Sequence, residues 1–174
     1  MKGGIGLGLL VGIIGAIFLP FVFLLINNTD AFTILSGSFT ELQSPNTIGS
    51  GLQTLFGFGF SVRTDFNANF LELLEGGDFM VFLPAMLTWI VCGLLAAMFS
   101  QSPKKGIVAA IIFIAVEILL YMLFEVIKGG NIVEFFTDIM PFIGVFLITG
   151  VGFSIVGGLV GGFISQFAFG PEEI

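Results

Sequence analysis

Hydrophobic positions along this chain fall into four long runs rather than into alternating or amphipathic stretches, and each run is long enough to cross a bilayer as a helix. The first covers 5–26 without a charge, the second 79–99, and the third 106–127. The fourth extends from Ile139 to Phe169, with its crossing placed at 141–164 and the remainder tilted or lying at the interface. A hydrocarbon core of about 30 Å takes roughly 20 helical residues, which each run supplies. Pro20 is expected to kink the first helix near its far end. The first run exceeds a signal-peptide core and reads as a retained helix.

The polar stretches between these runs set the expected topology. Residues 27–78 form the one long connection, expected as an extracytoplasmic loop or cap with structure of its own. Within it, Phe56, Phe58, Phe60 and Val62 alternate with Gly57, Gly59, Ser61 and Arg63. That period of two predicts a strand, with Thr33-Ile34-Leu35 as its partner in a β-hairpin. Asn69–Glu75 reads as a short interfacial helix ending at Gly76-Gly77. The expected fold is therefore an all-α four-helix transmembrane bundle, one membrane domain over 1–174, carrying a partly structured outer cap.

Lysine and arginine orient the bundle. Lys2 precedes the first helix, while Lys104 and Lys105 lie in the tight turn between the second and third. By the positive-inside rule these mark the cytoplasmic side, with both termini there. The opposite side gathers Asp30, Glu41, Asp65, Glu72, Glu75, Asp78, Glu134 and Asp138 beside Arg63 and Lys128. A multi-pass protein of the cell membrane is the expected localisation.

Composition narrows the function classes. Charged residues make up 10% of the chain and apolar ones 56%, whereas soluble domains carry about 25% charged residues. The net charge of −7 rests on five scattered basic residues, too few to neutralise a phosphate backbone, so nucleic acid is not an expected partner. With no histidine and Cys92 as the one cysteine, the chain has no internal disulfide and no Ser-His or Cys-His nucleophile. Zinc, haem and iron–sulfur ligand sets are missing as well. No metal, cofactor or catalytic residue is predicted, and the chain is not expected to be an enzyme.

Glycine, at 25 of 174 residues, is about twice its usual share of ~7%. Much of it forms rows at four-residue spacing. One row is Gly4, Gly8, Gly12 and Ala16; another is Gly150, Ser154, Gly158 and Gly162, with Gly157 and Gly161 beside it. Residues four apart share one helix face, so each row makes a shallow groove of glycine-zipper type for a neighbouring backbone. The first and fourth helices are expected to pack on each other through these rows. Alternatively, a row faces another membrane subunit or a second copy of the chain.

One ionisable side chain sits in mid-membrane. Glu117 is at least ten residues from either end of the third run. A carboxylate at that depth is costly, so it is expected to face the bundle interior as the neutral acid. Tyr121 and Glu125 follow at four-residue spacing, giving a polar stripe. Depth matching assigns Thr88, Trp89 and Ser154 as its neighbours. Two functions follow as expectations. The first is a non-enzymatic structural or accessory subunit of a membrane complex, or a self-assembling membrane protein, with lipids and other subunits as partners. The second is a small ion channel or proton- or cation-coupled transporter centred on Glu117.

Overall fold

The computed structural model describes residues 4–26, 31–44, 47–52, 55, 75–77, 79–127, 129, 131–139 and 147–170. Every element among them is helical: α1 (Ile5–Ile26), α2 (Ala31–Leu42), α3 (Phe79–Ala97), α4 (Pro103–Ile127), α5 (Ile132–Ile139), a π-helical turn (Leu147–Val151) and α6 (Gly152–Phe169). Three segments are long and apolar enough to cross a membrane: Ile5–Phe23, Pro103–Phe124 and Thr149–Phe169. Within α3, Met86–Ala97 forms a shorter apolar stretch. The helix boundaries lie close to the hydrophobic runs, but α6 continues to Phe169, beyond the crossing expected to end at Ile164.

The hairpin expectation is overturned at one strand. Thr33, Ile34 and Leu35 lie inside α2, a helix of 12 residues. The run of three apolar-leaning residues is too short to fix a period. The helix also absorbs its hydroxyls locally: Ser36 Oγ donates to the Thr33 carbonyl and Thr40 Oγ1 to that of Ser36, both at 3.0 Å. A helical stretch at 48–52 returns onto α2, with Gly51 against the Ser38 carbonyl. The Phe56–Val62 strand and most of the Asn69–Glu75 helix fall outside the described residues. Glu75 and Gly76 form a turn, with Gly76 at φ +100°.

α3 is the hub. It packs against α1 on one side, against α6 on the other, and against α4. The core cluster lies where these helices meet and consists of Ala16, Trp89, Cys92, Ala96, Phe113 and Ile114. Small residues do most of the spacing. Gly8 and Gly12 of α1 rest on Ala96. Gly157 of α6 meets the Ile90 carbonyl of α3, and Gly161 that of Leu94. On its other flank, α6 sets Gly158 against Gly106 and Ala110 of α4, and Gly162 against Ser102 and Pro103. Both glycine rows thus close on α3, and that of α6 on α4 as well. The expected direct packing of the first helix on the last is replaced by this arrangement. The reason lies in the receiving surfaces: α3 supplies Gly93, Ala96 and Ala97, and α4 supplies Gly106, Ala109 and Ala110, all buried. A glycine groove accepts whichever backbone offers small residues at matching spacing.

The outer faces have the opposite character. On α1, Leu7, Leu10, Ile14, Phe18 and Val22 are exposed and fall on one helix face. On α6 the exposed residues include Val156, Val160, Phe163 and Phe167, the last 88% exposed, while Gly157, Gly158, Gly161, Gly162, Ser154 and Ser165 are buried. α4 likewise exposes Val108, Ile111, Ile112, Leu119 and Leu123. Small residues inside and large apolar residues outside suit a lipid solvent, in which close backbone packing drives association. In water, apolar patches of this extent would drive aggregation. The chain has the features of a multi-pass membrane protein.

One turn is strained. Between α3 and α4, Gln101 adopts φ +58°, left-handed for a non-glycine residue. Its N–H is held by Ser165 Oγ of α6 at 2.8 Å, and Ser165 is fully buried. The connection therefore depends on a contact 64 residues away. Ser165→Ala removes that acceptor from a part-buried N–H and is expected to cost about 1–3 kcal/mol. Thermal unfolding in mild detergent should show a lowered midpoint; an unchanged midpoint would mean that water replaces the hydroxyl.

Candidate functional site

The face of α4 that turns inward carries Ala109, Ala110, Phe113, Ile114 and Glu117, all buried. These positions recur at intervals of three to four, so Glu117 belongs to the same stripe as the core residues two turns before it. The carboxyl-bearing residue is 6% exposed. It occupies the packed face of a helix whose opposite face presents Leu119 and Leu123 outward.

The register of α4 on α6 fixes its depth. Pro103 meets Gly162, Gly106 meets Gly158, and Ala110 meets Gly158, so the two helices run antiparallel. Counting onward equally along both helices brings Glu117 to the level of the π-helical turn Leu147–Val151. A π turn inserts one residue and widens the helix locally, and such turns recur at functional sites. Thr149 and Gly150 within it are buried.

α3 and α6 run parallel, with Ile90 beside Gly157 and Leu94 beside Gly161. Ser154 Oγ donates to the Trp89 carbonyl at 3.3 Å, a buried bond between α6 and α3. The Ser154 backbone also packs against Gly93. Thr88 and Trp89 are both buried, as is Ser154. Buried polar side chains thus come from three helices, Glu117 of α4, Thr88 of α3, and Thr149 and Ser154 from the last segment; the α4–α6 register sets Thr149 level with Glu117 and Ser154 opposite 110–114, nearer the start of α4. Thr149 and the π turn had no signal in the hydrophobic pattern, since Leu-Ile-Thr-Gly-Val reads as ordinary apolar helix.

The remaining sequence candidates divide cleanly. Tyr121 and Glu125 continue α4 one and two turns past Glu117, and their side chains lie outside the described residues. Gly8, Gly12, Gly157, Gly158, Gly161 and Gly162 all touch neighbouring helices, whereas a Cβ at Gly4 would meet nothing within 4 Å among the described residues. Ala16 is a core residue and Gly150 is buried in the π turn. Among the described residues, no group of three or more His, Cys, Asp or Glu is placed to hold a metal.

Compared with protein-family models, with curated proteins and with solved structures, the chain matches none. Function must be argued from the interior itself.

Proposed function

We propose that this is a four-crossing membrane protein acting as a small proton- or cation-coupled carrier, with Glu117 as the group that binds the transported charge. α3 would be the fourth crossing: it has 19 residues and no charge, and it sits at the centre of the other three. The Lys104–Lys105 end of α4 would face the cytoplasm together with both termini, placing residues 27–78 outside.

The observation that carries this reading is the buried position of Glu117 at the level of a π turn that contains the buried Thr149, with Thr88 and Ser154 also buried in the interior. A carboxyl group at mid-membrane is expensive in its ionised form, and such groups commonly mark proton or ion paths. Hydroxyl oxygens such as that of Thr149, level with Glu117 in the register of the two helices, are ligands of the kind a proton relay or a hard cation requires. Flux of protons or alkali cations into liposomes carrying the purified protein tests the proposal. Uptake that disappears with Glu117→Gln supports it; absence of uptake by the unsubstituted protein overturns it.

A second reading, an accessory or structural subunit of a membrane complex, draws on a different observation. Phe32, Phe39 and Ile48 are exposed on α2 and the stretch after it. These belong to the long connection rather than to a membrane-spanning segment. Gentle solubilisation followed by mass analysis separates the readings: a stoichiometric partner favours the subunit, and a homogeneous protein with flux favours the carrier. The glycine rows argue less for a partner than their sequence implies, because most of their members are taken up by contacts within the chain.

A further inference from the structure

We infer that the backbone carbonyl of Ala16 is a second ligand beside Glu117, and that the charge carried is a dehydrated alkali cation rather than a proton. This rests on the reading of Glu117 as the charge-binding group. The sequence of α1 makes the carbonyl available. Gly8, Gly12, Ala16 and Pro20 follow at four-residue spacing on one helix face, and all of them are buried. In an α-helix each carbonyl points toward the C-terminal end and accepts the N–H four residues on. Pro20 stands inside α1 and has no N–H to give. The Ala16 carbonyl is thus left without that donor on the packed side of the helix, where Ala16 and Pro20 are both buried.

Helix register brings this carbonyl to the level of Glu117. Gly8 and Gly12 meet Ala96, whereas Ala16 joins Trp89 and Cys92 in the core cluster, so α1 runs antiparallel to α3. α4 also runs antiparallel to α3, which makes α1 and α4 parallel, and the two are in contact. Ala16 shares the core cluster with Phe113 and Ile114. One turn further along both helices, Pro20 is therefore level with Glu117 and Ile118. Leu19 beside Pro20, Ile118 beside Glu117, and Val151 of the π turn all pack against that same cluster. Two interruptions of regular helix, one in α1 and one ahead of α6, thus fall at the depth of the buried carboxyl. In membrane carriers, broken helices at mid-depth supply main-chain carbonyls that coordinate cations. An amide oxygen is not protonated near neutral pH, so it adds nothing to proton binding. Toward a cation stripped of water, it replaces an oxygen of the hydration shell. With Glu117 ionised in the loaded state, its carboxylate, the Ala16 carbonyl and the Thr149 hydroxyl make an oxygen set with a single negative charge, which an alkali cation neutralises.

Solid-state carbonyl spectroscopy of the whole protein tests this. Alanine is labelled with carbon-13 at the carbonyl and isoleucine with nitrogen-15, and only Ala16-Ile17 and Ala110-Ile111 then join the two labels. Ile111→Val, at an exposed position, removes one signal and so assigns both. In phosphatidylcholine vesicles the Ala16 signal should move saturably with sodium or potassium chloride but not with choline chloride. The Ala110 signal, from an unbroken stretch of α4, should stay in place. Pro20→Ala restores the missing donor, and half-saturation of cation uptake should then rise by about tenfold, the loss of one ligand to a charge. An Ala16 signal indifferent to both salts, while uptake still depends on Glu117, would overturn the inference and leave the carrier reading intact. An unchanged half-saturation in a folded Pro20→Ala protein would do the same, as would uptake of protons alone. Absence of any uptake by the unsubstituted protein would instead remove the reading of Glu117, and the second ligand with it.

Discussion

Gly157→Ile is expected to prevent the bundle from assembling at all. A Cβ at this position would strike the Ile90 carbonyl, with the Leu94 nitrogen only 2.9 Å away. Both obstacles are backbone, so no rotamer change relieves them; α3 and α6 must move apart. Separation also undoes Gly161 against Leu94 and Gly93 against Ser154, which share the same interface. Overpacking a core by extra methylenes costs about 1–3 kcal/mol when side chains can adjust. Four added carbons against fixed backbone should exceed that and consume most of a stability of about 5–15 kcal/mol. Size-exclusion profiles in mild detergent would show aggregate in place of a single species. Gly157→Ala should give a weakened but detectable fold, and Gly4→Ala, with nothing within 4 Å of its Cβ among the described residues, should leave the profile unaltered. A monodisperse, fully helical Gly157→Ile protein that failed only to associate would instead place this row at an interface between chains.

Glu117→Gln should reduce cation or proton uptake to the level of empty liposomes while leaving the melting profile close to the original. Glutamine has nearly the same shape and keeps hydrogen-bonding capacity, but it neither exchanges a proton nor carries charge. The substitution therefore separates transport from packing, because Glu117 lies on the packed face of α4 beside Phe113 and Ile114. Thr149→Val, which exchanges a buried hydroxyl for a methyl in the π turn, should lower the rate without abolishing it. Uptake unaffected by Glu117→Gln would reduce the carboxyl to a structural contact.

The large outlines were legible because lipid imposes them. A run of roughly 20 apolar residues can satisfy its backbone only as a helix, and α1 begins and ends where its hydrophobic run does. Four-residue spacing also showed which faces of α1 and α6 would be approached closely. It did not name the partner, because a glycine groove has no side chain with which to choose. That choice depended on Gly93, Ala96 and Ala97 of α3 and Gly106 and Ala110 of α4, which look unremarkable in sequence. The Thr33–Leu35 strand failed because three residues cannot distinguish a period of two from one of 3.6. The burial of Glu117 followed from its depth, whereas the π turn beside it depends on backbone geometry that Leu147–Val151 does not announce. Gln101 was illegible for a similar reason: its left-handed backbone is held by Ser165 from another helix, and no local residue signals it.

Lipid is the solvent that suits α1, α4 and α6, whose large apolar side chains point outward while glycines, alanines and serines lie inside. Washing membranes from expressing cells with alkaline carbonate tests this most directly. The chain should remain wholly in the sedimented membranes and enter solution only with detergent; recovery in the aqueous supernatant would contradict it.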